Sequence, residues 1–213
     1  MSQNDAMLRI ACVADACTTL GPGVRAVVWV QGCNRRCPGC IAPEKQDPRG
    51  GESVAVDDLA RHLASLDSIE GITLSGGEPF LQPGPLAAML TIIRARRTLS
   101  VMAYTGYTLQ HLREHGDAGQ KDLLTSVDIL VDGPYVAEQA TAKRWRGSDN
   151  QCVHFLTPRY ARLANHTDDE TFCLDVQVGG DGTVIWMGIP PPGFRDRFEK
   201  GLNSRQIKLK CMS

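Results

Sequence analysis

Short apolar runs alternate with amphipathic stretches along the first two thirds of the chain. "LRIACV" at 8–13 and "VRAVVWV" at 24–30 are dense in β-branched and apolar residues, and the turn "LGPG" at 20–23 lies between them, which predicts two strands. From 56 to 66 the period lengthens. Val56, Leu59, Leu63 and Leu66 recur at helical spacing, with Asp57 and Asp58 in the first turn, where the helix dipole favours negative charge. "GITLS" at 71–75 reads as a short buried strand. A second helix is predicted with Pro85 at its first position, Leu86, Met89, Leu90 and Ile93 on one face, and Arg94, Arg96 and Arg97 toward its C-terminal end. "LSVMAY" at 99–104 is strand-like and leads into "TGYTLQHLREHG", where Thr108 suits a helix cap and Gly116 a stop. A further apolar run at 127–131 breaks at Asp132-Gly133-Pro134.

The repeated order strand, loop, helix predicts an α/β fold: a parallel sheet covered by helices, with polar and Gly-rich residues delivered to the C-terminal ends of the strands, and a site at that rim. After residue 140 the pattern changes. "KRWRGSDNQ" reads as an exposed loop, although its Trp145 also suits a channel cover or a partner contact. "TFCLDVQVGGDGTVIWMGIP" predicts a hairpin turning at "GGDG", with Val176, Val178, Val184 and Trp186 as packing residues. No long linker or internal repeat interrupts the chain. The expectation is one domain over 1–213, a core at about 8–140 and a small C-terminal β-hairpin extension at about 141–213.

Composition narrows the class. With 42% hydrophobic residues in 213, the chain can bury one substantial core, and a formal net charge of -1 gives no bulk attraction to nucleic acid or an anionic membrane. The first residues lack a basic flank followed by an apolar run, and no apolar stretch approaches the length of a membrane span, so the expected location is cytoplasmic, with neither nucleic acid nor membrane as a partner. Eight cysteines in such a chain are expected to be reduced thiols. Cys12, Cys152 and Cys173 sit within or beside apolar segments and read as small buried hydrophobes; His154, inside "CVHFL", reads as a hydrogen-bonded core histidine.

Cys33, Cys37 and Cys40 depart from that reading. They form a C-x3-C-x2-C cluster directly after the second predicted strand, and no fourth ligand stands nearby. Closed zinc sites and electron-transfer cubanes both take four protein ligands. Three thiolates would leave one iron of a cubane open, and an open metal position is where chemistry occurs. A structural zinc or iron–sulfur module with a distant fourth ligand is the non-catalytic alternative.

The cysteine triplet after one strand, followed by "SGGEP" after the next, resembles the radical S-adenosylmethionine (SAM) enzymes. "GPGVRAVVWVQGCNRRCPGC" is similar to the opening of the glycyl-radical activating branch, and "CPGC", "AYTGYTLQHL", "VDILVDGPYV", "RGSDNQ" and "DGTVIWMGIPP" are nearer still to the members that act on anaerobic ribonucleotide reductase. The resemblance implies an abbreviated, partial TIM-like barrel carrying one 4Fe-4S cluster on Cys33, Cys37 and Cys40. It implies SAM chelating the open iron, reductive cleavage to a 5'-deoxyadenosyl radical, and hydrogen abstraction from a backbone glycine of a glycyl-radical enzyme, such as class III ribonucleotide reductase. A flavodoxin- or ferredoxin-type electron donor follows from the same likeness. Gly39, Cys40, Gly76, Gly77, Glu78, Pro79, Thr105, Gly106 and Asp132 are the implied cofactor-binding positions. Gly76 and Gly77, lacking Cβ, suit close backbone approach to the methionyl end, so a bulky residue at 77 is expected to weaken SAM binding and spare the cluster. Asp132 reads equally as a turn or helix cap, and Tyr104 and Tyr107 equally as core aromatics. Ile41 and Ala42 depart from the aromatic and asparagine that follow the third cysteine in many relatives. On the same core, direct modification of a peptide or small metabolite is the alternative reaction.

Overall fold

The computed structural model describes residues 6–171, 173–178, 184–191, 193–203 and 209–212. The elements run β1 (Met7–Cys17), β2 (Arg25–Val30), β3 (Glu52–Ala55), α1 (Val56–Ser65), β4 (Gly71–Gly76), α2 (Pro83–Arg94), β5 (Ser100–Tyr104), α3 (Leu109–Glu114), α4 (Ala118–Thr125), β6 (Ile129–Asp132), β7 (Cys152–Phe155), β8 (Leu174–Val178), β9 (Val184–Gly188), α5 (Phe194–Asn203) and β10 (Leu209–Met212). One sheet of seven strands has the order β3-β1-β2-β4-β5-β6-β7. Its four central strands, β2, β4, β5 and β6, are parallel, and β1, β3 and β7 join antiparallel at the two sides. The α/β alternation expected from sequence is therefore present, and β3 and β7 are the edges of an open sheet. The main sheet also continues to Phe155, past the core boundary drawn at 140.

Both faces of the central strands are covered, which is why β2 is buried at every position and its sequence shows no alternation. One face, with Val28, Val30, Leu74, Ala103 and Leu130, packs under α1, α2 and α4 through Leu59, Leu63, Leu86, Met89, Leu90, Ile93 and Leu123. The other carries Val27 and Trp29 against Met187, and Met102, Ile129 and Val131 against Trp145 and Tyr160. Trp145 is thus a core residue at φ 60° rather than part of a solvated loop. The helices begin and end close to expectation. Thr108 caps α3 by accepting from His111 N at 3.1 Å, and α2 starts two residues earlier than read, at Pro83. Helix α4, held by a capping box between Asp117 and Gln120, had no counterpart in the sequence reading.

The C-terminal hairpin is present as β8 and β9, with β10 added parallel to β9 in a second three-stranded sheet. Its "GGDG" turn lies outside the described residues. Val184 and Trp186 are buried as expected, whereas Val176 and Val178 are exposed, so only β9 turns its apolar side chains into the core. Of the scattered cysteines, Cys152 and Cys173 are free but exposed, and Cys12 is disulfide-bonded, against the expectation of reduced thiols throughout. No described helix is long and apolar enough to cross a membrane.

At the end of the sheet away from the cysteine loop, Arg25 is fully buried. It donates through Nε to Thr73 Oγ1 (2.8 Å), through Nη1 to Ser100 Oγ (2.9 Å) and Pro22 O (3.1 Å), and through Nη2 to Ile72 O (2.8 Å) and Ser100 O (3.2 Å). All its donors are used, and burial lowers its pKa. The guanidinium clamps β2, β4 and β5 together at the start of their parallel pairing. Arg25→Met is expected to lower stability by about 3 kcal/mol or more, because several buried acceptors lose their donor at once; a urea midpoint equal to wild type would contradict this.

Candidate functional site at the C-terminal rim of the sheet

The cysteine loop leaves the C-terminal end of β2 and is closed at its base by Gly32 N donating to Lys45 O (2.8 Å) and Cys33 N to Gln46 O (3.1 Å). Gln31, buried beneath it, donates through Nε2 to Glu44 O (3.0 Å) and Asp47 O (2.8 Å). Within the loop Arg36 and Gly39 take positive φ, 48° and 73°, and Cys40 N donates to Cys37 O at 3.2 Å. These reversals leave Cys33, Cys37 and Cys40 each half-buried on one compact loop. Burial raises the Cys33 thiol's pKa, opposed by the Arg35 amide, which donates to its Sγ at 3.4 Å. Asn34 Nδ2 donates to Tyr107 Oη at 2.9 Å, and Arg35 lies 4.8 Å over the Tyr107 ring, so Tyr107 pins the loop to the end of β5.

"SGGEP" stands beside this loop at the end of β4. Gly77 N donates to Val30 O (2.7 Å) and Glu78 N to Gly32 O (2.8 Å), prolonging the β2–β4 pairing into the two loops. Both glycines face that backbone. A Cβ on Gly76 would lie 2.5 Å from Val30 O, and one on Gly77 2.2 Å from Gly32 O. Their close approach is therefore to the cysteine loop. Glu78 is buried, and its carboxylate accepts from Phe80 N (3.0 Å), Thr105 Oγ1 (2.8 Å) and Gly106 N (2.7 Å). Burial raises its pKa, and these donors and Arg35 oppose the rise. Pro79 opens the short 3-10 turn Pro79–Leu81. Glu78→Gln leaves one of the three donors facing an amide NH2. It is expected to cost about 1–3 kcal/mol and to loosen the β5 loop at Thr105 and Gly106; unchanged thermal stability would count against this role.

On the sheet face opposite the helices, a cavity of about 590 Å3 opens beside the cysteine loop. Gly39, Cys40, Ile41, Ser75, Tyr104 and Tyr135 line one part of it, and residues 188–191 and 193–196 line another. Ile41, one of the departures from the usual pattern, is thus cavity lining, whereas Ala42 is buried. The Tyr104 hydroxyl is buried without a hydrogen-bond partner among the described residues, and burial raises its pKa.

Residues 19–154 match the family of the 4Fe-4S single cluster domain, a span that contains both loops. The anaerobic ribonucleoside-triphosphate reductase-activating protein of Vibrio cholerae is 34% identical over 64% of this chain and 91% of its own length, and that of Enterobacteria phage T4 is 34% identical over 62% and 83%. The pyruvate formate-lyase-activating enzyme of Clostridium pasteurianum is 30% identical over 61% of this chain and 56% of its own length. The chain belongs to the radical SAM activating enzymes.

A radical SAM enzyme of this kind uses one 4Fe-4S cluster and SAM, and the geometry fits both. Three half-buried thiols on one loop can supply ligands for three irons of a cubane and leave the fourth open. The cavity beside Cys40 is of a size that takes a cofactor. Thr105 and Gly106 join the site through Glu78. Asp132 does not line this cavity. Its carboxylate lies on the helix side, where it accepts from Leu109 N at 2.6 Å and caps α3, the alternative the sequence left open. Burial pushes the Asp132 pKa up, but His154, Leu109 N and Cys152 N outweigh that and hold it below the usual range. Sequence reasoning missed Tyr135, Ser75 and Ile41 as lining; Tyr135 and Ile41 stand in loops, where no periodicity signals which side chains face the cavity.

Proposed function

We propose that this radical SAM activating enzyme cleaves SAM reductively and installs a glycyl radical on a partner enzyme, with anaerobic class III ribonucleotide reductase as the first candidate. The observation that carries the reading is the pairing of a three-thiol loop with an adjoining cavity. Together, cluster and SAM supply one-electron cleavage of the sulfonium to a 5'-deoxyadenosyl radical. Cys33, Cys37 and Cys40 would hold three irons, and Gly39 lets Cys40 reach the cavity wall. Gly76, Gly77, Glu78 and Pro79 hold the neighbouring loop against Gly32, and Thr105 and Gly106 are fixed to it through the Glu78 carboxylate. Tyr104 and Tyr135 keep water from the part of the cavity they line. The names of the relatives support the partner class, and a flavodoxin- or ferredoxin-type protein is the proposed electron donor.

The test combines reconstituted, reduced protein with SAM and a purified class III ribonucleotide reductase under anaerobic conditions, read by electron paramagnetic resonance. A glycyl radical on the reductase, absent when SAM is omitted, is the expected result. SAM cleavage with no radical on that protein or on another glycyl-radical enzyme would overturn it in favour of direct substrate modification.

A further inference from the structure

A second cluster of metal-ligating side chains stands on the helix side of the sheet. β6 and β7 pair antiparallel with Asp132 opposite Cys152 and Leu130 opposite His154. Residues directly opposite share a face, and so do residues two apart, so Asp132, Cys152 and His154 project to the same side at the end of two paired strands. One ligand atom from each, a carboxylate oxygen, a thiol sulfur and an imidazole nitrogen, all lie within 4.8 Å of one another. The Cys152 thiol is free. Asp132 is buried, with Oδ2 accepting from Leu109 N at 2.6 Å and Oδ1 from Cys152 N at 3.3 Å.

His154 completes the set: its Nε2 is shielded from solvent, lies 3.1 Å from Asp132 Oδ2, and belongs to the group whose ligand atoms include the Cys152 thiol. A cavity of about 550 Å3 opens over the three groups, with Gln110, Arg113, Glu114 and Asn150 among its lining residues. It offers an entry path and room for water.

We propose that Asp132, Cys152 and His154 form a mononuclear site for a divalent metal of the zinc type, separate from the cysteine loop. One thiolate, one imidazole and one carboxylate form a mixed ligand set that suits zinc, whereas calcium and magnesium take oxygen ligands. Three protein ligands leave a fourth position for a water from the cavity. Binding releases the thiol proton and ties β6, β7 and the first turn of α3 to one ion. None of the three residues lines the cavity beside Cys40, so the site stands whether or not the activase reading does.

The test uses protein whose cluster has already been reconstituted, so that Cys33, Cys37 and Cys40 are occupied. After anaerobic incubation with Zn(II) and desalting, zinc per chain is measured by plasma mass spectrometry. About one bound zinc per chain is expected for wild type, with affinity at least about tenfold weaker in Cys152→Ser and in His154→Ala. Cys152 is exposed and serine differs little in size, so that variant retains the fold. As a second readout, Co(II) added to a folded variant with Cys33, Cys37 and Cys40 changed to alanine should give a thiolate-to-cobalt charge-transfer band that Cys152→Ser removes. Failure of wild type to retain zinc, equal retention by Cys152→Ser, or absence of that band would overturn the proposal.

Discussion

Alanine at Cys33, Cys37 or Cys40 is expected to abolish both cluster assembly and SAM cleavage. The three thiols stand on one loop that offers no fourth cysteine, so each would hold its own iron and none has a substitute. The effect is all-or-none rather than graded, because losing one ligand exposes a second iron to solvent. Reconstituted variants should contain little iron and sulfide and form no 5'-deoxyadenosine. Serine at exposed Cys173 is the matched control, and full activity in any loop variant would refute the assignment.

The second large effect is at Gly77. Leucine there would bring its Cβ to 2.2 Å from Gly32 O, a contact between backbone and backbone in which neither partner can swing away. Gly32 immediately precedes Cys33, so the strain passes directly into the cysteine loop. Gly77→Leu is therefore expected to lower cluster content along with SAM binding, and to cost about 2 kcal/mol or more of stability. Iron content and urea midpoint together check this. Wild-type values for both, with only SAM binding weakened, would restore the expectation drawn from sequence.

That difference shows where sequence reasoning stops. The cysteine triplet and "SGGEP" were legible because their residue types carry chemistry at any position of the fold. The strands and helices of 24–131 other than β3 and α4 were legible because their apolar periodicity matches what they bury. Gly77 was legible as a glycine that something approaches closely, but which atoms approach depends on the pairing of β2 with β4, and that pairing is not local. The direction of Asp132 was hidden for a related reason. β6 is buried on both sides, so "ILVD" shows no alternation to tell which face the aspartate shares. "KRWRG" looked solvated from its charges, yet Arg146 lies buried with Trp145 because both sit beneath the chain around Tyr160 and Asp168. Val176 and Val178 failed in the opposite direction: β-branched residues predict a strand but not which side of it is covered.

The measurement that bears most directly on the central claim is SAM cleavage by the isolated protein. After anaerobic reconstitution with iron and sulfide and chemical reduction, SAM is added and 5'-deoxyadenosine is quantified. The account predicts 5'-deoxyadenosine and methionine, formed only by reduced protein with Cys33, Cys37 and Cys40 intact. An intact, reduced cluster that leaves SAM uncleaved would contradict it.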